Sequence, residues 1–142
     1  MRGSGSSPID MTSVAIILVN WNGKKDTLFC LASLSKFKVQ SLKLKVVVVD
    51  NGSTDNSVEV IRKKFSDIEV VETGRNLGFT GGNNIGIHRA LEWGADYVWL
   101  LNNDTVVDNN ALAALLEAFG DKSVRVMMPG FFVIKNAAFF AD

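Results

Sequence analysis

The residues best suited to chemistry gather in four short polar segments. They are Asn20-Trp21-Asn22-Gly23, Asp50-Asn51-Gly52-Ser53-Thr54-Asp55, the run from Arg75 to Asn84, and Asn102-Asn103-Asp104. Together they offer an aromatic face, carboxylates, a guanidinium and many carboxamides. That set suits a nucleoside diphosphate, whose base and sugar need stacking and hydrogen-bond partners and whose phosphates need a cation, a metal or backbone N–H groups. Trp21 could supply the stacking face or a packing wall, Asp50 could accept hydrogen bonds from a base or sugar, and Arg75 could grip an anionic oxygen through its planar fork. Gly78, Gly81 and Gly82 would let the backbone approach a ligand closely. Asp104 could hold a divalent cation, Mg or Mn, because such sites often use one or two protein carboxylates and take their other ligands from phosphate and water. A metal there would neutralise a diphosphate leaving group. Any one of these segments alone reads as turn chemistry, since Asn, Gly and Asp favour turns for backbone reasons. Their meeting at one place is what would make a site.

The elements between the segments predict that meeting. Val14 to Val19 and Lys45 to Val49 are short, β-branched, nearly continuous apolar runs, as expected of parallel strands covered on both faces. Between them Leu28, Leu31, Ala32 and Leu34 recur at helical spacing, with Asp26 near the favourable end of the helix dipole. Asn56 is placed to cap a second helix with Glu59 three residues on, and Val58, Ile61 and Phe65 form its apolar side. A strand from Ile68 to Val71 follows, then a helix from about Asn84 to Trp93 closed by Gly94, then the strand Tyr97 to Leu101. Leu112, Leu115, Leu116 and Phe119 stripe a last helix, with Asp108 or Asn109 as its cap and Gly120 as its stop, and a strand near Val124 to Met128 meets Pro129. This alternation predicts an α/β fold, a Rossmann-like three-layer sandwich with a mostly parallel central sheet. In such sheets ligands bind outside the carboxyl ends of the strands, and each of the four polar segments follows a strand.

The ordered motifs Val-Asn-Trp-Asn (19 to 22), Val-Asp-Asn-Gly-Ser-Thr-Asp (49 to 55), Arg-Asn-Leu-Gly-Phe-Thr-Gly-Gly-Asn-Asn (75 to 84) and Leu-Leu-Asn-Asn-Asp (100 to 104) resemble the family-2 glycosyltransferases of the GT-A fold, and most of all their rhamnosyltransferase-type branch. The resemblance runs from about Thr12 to Met128. It implies that Asp50 contacts the nucleobase and that Asn20, Trp21 and Asn22 flank the nucleoside. Arg75, Gly78 and Asn83 would line the nucleotide pocket. Asn51, Ser53, Asn102 and Asn103 complete the implied substrate-binding set, and Asp104 becomes the metal-binding end of the family's Asp-x-Asp motif. Asn102 stands in place of that motif's first carboxylate and adds no charge. The implied reaction is inverting transfer of a sugar from a UDP- or dTDP-linked donor to a hydroxyl of a saccharide or lipid-linked acceptor, in cell-envelope or polysaccharide synthesis. It would take place in the cytoplasm, at the inner face of the membrane. Family members bring their general base from a segment well beyond Asp-x-Asp. Beyond the cap candidate Asp108, the later carboxylates are Glu117, Asp121 and Asp142, and none has a base's sequence context, so no catalytic residue is assigned. The expectation is a donor-binding part cut short of its acceptor half. The alternative is a non-catalytic nucleotide- or nucleotide-sugar-binding module, or a truncated, inactive fragment.

Composition bounds the remaining readings. The chain has 142 residues, enough for one domain, and its 15 basic and 15 acidic residues balance, which gives no reason to expect a nucleic-acid partner. Residues 1 to 11 read as a tag-like disordered leader and 12 to 142 as a single domain. No apolar run approaches the roughly 20 residues of a membrane-spanning helix. The lone Cys30 reads as a buried, inert thiol, His88 as a plain helix residue, Trp93 and Trp99 as packing, and Lys24 and Lys25 as solvated. Phe131 to Ile134 and Ala137 to Phe140 form an apolar tail without a clear partner, suited to self-association. A dinucleotide-dependent oxidoreductase is disfavoured by the absence of Gly-x-Gly-x-x-Gly after the first strand, and a phosphate loop of the Gly-Lys type is likewise missing.

Overall fold

In a computed structural model the structure describes residues 12–37, 42–118, 126–127 and 131–135. The leader lies outside them, as do Phe119, Gly120, Asp121, Asp142 and residues 136–142 of the tail. The elements run β1 (Thr12–Asn20), α1 (Lys24–Leu34), β2 (Leu42–Asp50), α2 (Ser57–Lys64), β3 (Glu69–Glu72), α3 (Gly78–Trp93), β4 (Tyr97–Leu101), α4 (Ala111–Ala118), β5 (Val126–Met127) and β6 (Phe131–Lys135). Among the described residues the strands form one sheet in the order β3-β2-β1-β4-β6-β5. β1 to β4 are mutually parallel, and β6 runs antiparallel to β4 and to β5.

The order matters for function. From β1 the chain winds outward through β2 to β3, then crosses to the other side of β1 to lay down β4. The direction reverses between β1 and β4, and a crevice opens at such a switch point beyond the carboxyl ends of the strands. The register puts Asn20 beside Asp50 and Asp50 beside Glu72, so the first three strands finish level with one another.

Alternate strand residues feed two cores, one on each face of the sheet. Val14, Ile16, Leu18, Val48, Trp99 and Leu101 pack with Cys30, Leu31 and Leu34 of α1, Ile61 of α2, and Leu112 and Leu115 of α4. Ala15, Ile17, Val47, Val49 and Val98 pack against Ile87 and Ala90 of α3. Trp99 is fully buried and stacks on Phe37 with ring centroids 6.4 Å apart. Trp93 is half-buried beneath the Lys45 ammonium, at the edge of the core. His88 is exposed.

Several expectations are corrected. α3 begins at Gly78, not near Asn84, so most of the glycine-rich run is helix rather than loop. The reason is packing. A Cβ on Gly82 would lie 2.9 Å from Val19 Cγ1 and 3.1 Å from Asn51 Nδ2, and one on Gly81 2.8 Å from Leu77 Cβ. These two glycines let the helix settle against the sheet and its own cap, not against a ligand. Gly78 differs: it adopts φ +79° with open space around it.

On α1 the expected apolar stripe is only partly right. Ala32 is exposed, whereas Thr27 and Ser33 are buried. Polar residues occupy that face because neighbouring backbone and side chains need them: Ser33 Oγ donates to Cys30 O at 2.7 Å and accepts from Val107 N–H at 3.0 Å.

Asn56 does hold the N-cap position of α2, but in the left-handed conformation, φ 56°, which turns its amide away from the helix. Asp55 takes over, accepting from the Ser57 N–H at 3.0 Å and from the Ser57 hydroxyl. Asp108 closes a turn just ahead of α4, its Oδ1 accepting from Asn110 N–H at 2.8 Å, one residue short of the helix. Of the apolar tail, Phe131–Lys135 pairs through its backbone with β4 of the same chain.

Burial pushes the Cys30 thiol up to about 12, the Asp104 carboxylate adding to the rise and the Thr105 N–H opposing it. Because the thiolate is the nucleophile, the folded chain should react with iodoacetamide at pH 8 at least about a hundredfold more slowly than the chain in denaturant. Equal rates, measured by mass spectrometry over time, would show that the thiol is accessible.

Candidate functional site

The four polar segments do meet at the carboxyl rim, and the hydrogen bonds show how. Asp50 is 2% exposed and sits at the last position of β2. Its Oδ1 accepts from Asn20 Nδ2 at 2.8 Å and from Ser53 Oγ at 2.7 Å, and its Oδ2 accepts from Ser53 N–H at 2.9 Å. Ser53 Oγ in turn accepts from Asn20 Nδ2 at 3.1 Å and from Asn22 N–H at 2.8 Å. Asn22, at φ 50°, turns its side chain back so that Oδ1 accepts from Thr54 N–H at 2.7 Å. The loops after β1 and β2 are thus stapled together by Asn20, Asn22, Asp50 and Ser53, whose polar atoms face one another.

Lys24 strengthens the same staple. Its N–H donates to Asp55 Oδ2 at 3.2 Å and its ammonium to Asn56 Oδ1 at 2.8 Å. Burial alone would raise the Asp55 carboxyl, yet hydrogen bonds from the Ser57 hydroxyl and from the Lys24 and Ser57 N–H groups hold it below the usual carboxylate range.

The segment after β3 is tied in through its backbone. Thr73 Oγ1 donates within reach of Arg75 O at 2.6 Å and Asp50 O at 3.1 Å. Gly52 lies so close that a Cβ there would come within 2.9 Å of Arg75 Cα. The Arg75 side chain itself is exposed, and among the described residues it has no hydrogen-bond or ion-pair partner. Asn51, 1% exposed, donates from Nδ2 to Gly78 O at 3.0 Å and so fixes the start of α3. Asn83 is buried on the sheet side of α3, and its Nδ2 has no partner among the described residues.

At the switch point between β1 and β4 lies a cleft of about 370 Å³ lined by Val19, Trp21, Asn51, Asn76, Gly78, Phe79, Leu101, Asn102, Asn103 and Asp104. Of the residues singled out from sequence, Trp21, Asn51, Gly78, Asn102, Asn103 and Asp104 stand on this wall. Asn20, Asn22, Asp50, Ser53, Arg75 and Asn83 do not line it. Trp21 is 55% exposed and Phe79 53%, so two aromatic faces are presented to solvent at the cleft. Phe79 and Asn76 were missed as site residues. The signal was present in the motif around Gly78, but only the start of α3 at that residue shows that its first turn faces the cleft. Asp104 is exposed, and among the described residues no group of three or more His, Cys, Asp or Glu could enclose a metal.

The sequence profile of glycosyl transferase family 2 matches residues 15–141. The chain belongs to that family. It is 28% identical over 112 residues to the poly-beta-1,6-N-acetyl-D-glucosamine synthase of Staphylococcus aureus (strain COL), an alignment covering 78% of this chain and 26% of that protein. The corresponding synthase of Staphylococcus epidermidis is 34% identical over 77 residues, 53% of this chain and 18% of that one. The family-2 domain thus spans about a quarter of the length of the curated relatives it matches. Among solved structures, a mannosyltransferase of Pyrobaculum calidifontis in complex with GDP-Man and Mn2+ superposes with a TM-score of 0.78 at 17% identity, covering 94% of this chain and 47% of that one. Staphylococcus aureus TarS 1-349 in complex with UDP-GlcNAc superposes with a TM-score of 0.68 at 21% identity, covering 81% and 33%. The fold is therefore the Rossmann-like GT-A arrangement. No helix among the described residues is long and apolar enough to cross a membrane.

Proposed function

We propose that this family-2 domain holds a nucleoside-diphosphate sugar, UDP- or dTDP-linked, in the cleft between β1 and β4. The donor would be presented for inverting transfer to a hydroxyl of a saccharide or lipid-linked acceptor in polysaccharide synthesis. The observation that carries this reading is the placement of Trp21, Asn51, Gly78, Asn102, Asn103 and Asp104 together on the wall of a cleft at the topological switch point. Trp21 supplies a stacking face, and the carboxamides supply hydrogen bonds to the sugar and ribose. Arg75, unpaired at the rim, is available to an anionic oxygen. Asp50, Asn20, Asn22 and Ser53 support the nucleoside side by holding the two loops in register. The UDP-GlcNAc bound by TarS and the name of the staphylococcal synthase favour a uridine-linked amino sugar.

Asp104 fits a divalent cation, Mg or Mn. A single exposed carboxylate at the cleft leaves the other coordination positions to phosphate oxygens and water, which is how magnesium-type sites are commonly built. Such a cation supplies charge neutralisation of the leaving diphosphate. Asn102 adds an amide to the same wall without adding charge.

Calorimetric titration of the chain with UDP and with dTDP, each with Mn2+ and with EDTA, tests the reading. Binding of at least one of them is expected, tighter by about tenfold or more with the metal, the equivalent of about 1.4 kcal/mol. Asp104→Ala should erase that gain while leaving metal-free binding in place. No binding under any condition by the folded chain would remove the donor-site reading, and an unchanged metal effect in Asp104→Ala would remove the metal assignment.

A further inference from the structure

Thr27 is fully buried on the second turn of α1, an element that contributes no residue to the cleft wall. Its hydroxyl donates to Asn20 Oδ1 at 2.7 Å and accepts from Asn103 Nδ2 at 2.9 Å. Asn20 is the residue whose Nδ2 holds Asp50, and Asn103 directly precedes Asp104. A continuous relay therefore runs from Asp50 through Asn20 and Thr27 to Asn103. It joins the end of β2 to the loop after β4 across the switch point. Without Thr27 no described hydrogen bond ties the side chains of the first strand-end loop to those of the fourth.

We infer that Thr27 is a positioning residue that holds the nucleoside side of the cleft and the Asp104 side at a fixed separation. A nucleotide and the cation on its diphosphate can then be engaged at once. This rests on the donor-site reading above. A hydroxyl is the group suited to the role because it donates and accepts along one line. A valine of similar shape leaves the fully buried Asn20 Oδ1 without its donor and the partly buried Asn103 Nδ2 without its acceptor. Gly23 belongs to the same arrangement. It is the N-cap of α1, at φ −113°, and a Cβ there would come within 2.8 Å of Asn103 Nδ2 and 3.3 Å of Asn20 Oδ1. Alanine at Gly23 has no conformational difficulty, yet it would push the Asn103 amide off Thr27.

The test measures UDP binding by calorimetry with MnCl2 and with EDTA, for the parent chain, Thr27→Val, Thr27→Ser and Gly23→Ala, each first shown to be folded by circular dichroism. The readout is the metal-dependent gain in UDP affinity, which a loss of overall stability does not alter in a folded protein. Thr27→Val and Gly23→Ala are expected to reduce that gain by about tenfold, in keeping with the loss of a buried hydrogen bond. Thr27→Ser is expected to keep it within about twofold of the parent. If Thr27→Val is not folded, Gly23→Ala and Thr27→Ser decide the matter. A parental gain in Gly23→Ala, or a loss in Thr27→Ser equal to that in the other variants, overturns the inference. If the parent itself fails to bind UDP with and without Mn2+, the donor-site reading falls first and takes this role with it.

Discussion

Gly86→Leu is expected to leave the chain unfolded, and Gly86→Ala to destabilise it by about 1–3 kcal/mol despite adding a good helix former. Gly86 faces the sheet from the middle of α3. A Cβ there would fall 2.2 Å from Ile17 Cγ2 and 3.3 Å from Ile17 Cβ and Cδ1. Ile17 is fully buried on the central strand with Val47, Val49 and Val98 in the same core, and a β-branched side chain has little rotamer freedom with which to retreat. At an exposed helical position the same Gly→Ala change would stabilise by up to about 1 kcal/mol, so the sign of the effect is informative. Urea denaturation followed by tryptophan fluorescence measures it. A Gly86→Ala chain as stable as the parent would mean that α3 does not lie this close to β1. The leucine side chain adds a volume that a native state stable by only about 5–15 kcal/mol has no means of absorbing.

The same contact explains what was and was not legible in the sequence. Strands such as Val14 to Val19 and Lys45 to Val49 announce themselves, because continuous β-branched runs have few other uses. The helices were readable where an apolar stripe existed, as with Leu112 and Leu115. They were misread where the interface is made of small or polar residues. Gly82 looks like loop material in one dimension, Gly86 like an ordinary helix position, and both turn out to be places where α3 touches β1. Thr27 and Ser33 look like surface positions and are buried, the Thr27 hydroxyl between Asn20 and Asn103 of the rim and the Ser33 hydroxyl against the Val107 N–H.

The site shows the same division. Residue type and order located the rim, since every one of the four segments follows a strand. What a linear reading does not supply is orientation. Of the twelve residues named from sequence, Trp21, Asn51, Gly78, Asn102, Asn103 and Asp104 face the cleft. Asn20, Asn22, Asp50 and Ser53 turn their polar groups on one another, and that mutual satisfaction depends on the register of β1 against β2.

Asp50→Ala is the second substitution for which a large effect is expected. The carboxylate accepts three hydrogen bonds at the end of a central strand. Its removal leaves the Ser53 N–H without its acceptor and strips Asn20 Nδ2 of the shorter of its two. At about 1–3 kcal/mol for each buried donor left unsatisfied, the free protein should lose about 2–4 kcal/mol. Asp50→Asn separates two roles. The amide keeps the volume and one acceptor oxygen, but whichever way it is turned its NH2 confronts either the Ser53 N–H or the Asn20 amide, both donors. If Asp50 chiefly holds the rim together, Asp50→Asn lies between the parent and Asp50→Ala in stability. UDP affinity then falls in the same order, because the loops that present the nucleoside contacts loosen together. If the carboxylate instead acts only on the nucleobase, both variants melt like the parent while their UDP affinity drops. A urea midpoint for Asp50→Ala within about 0.5 kcal/mol of the parent would favour that second role and show that Asn20, Ser53 and their loops stay in place without it.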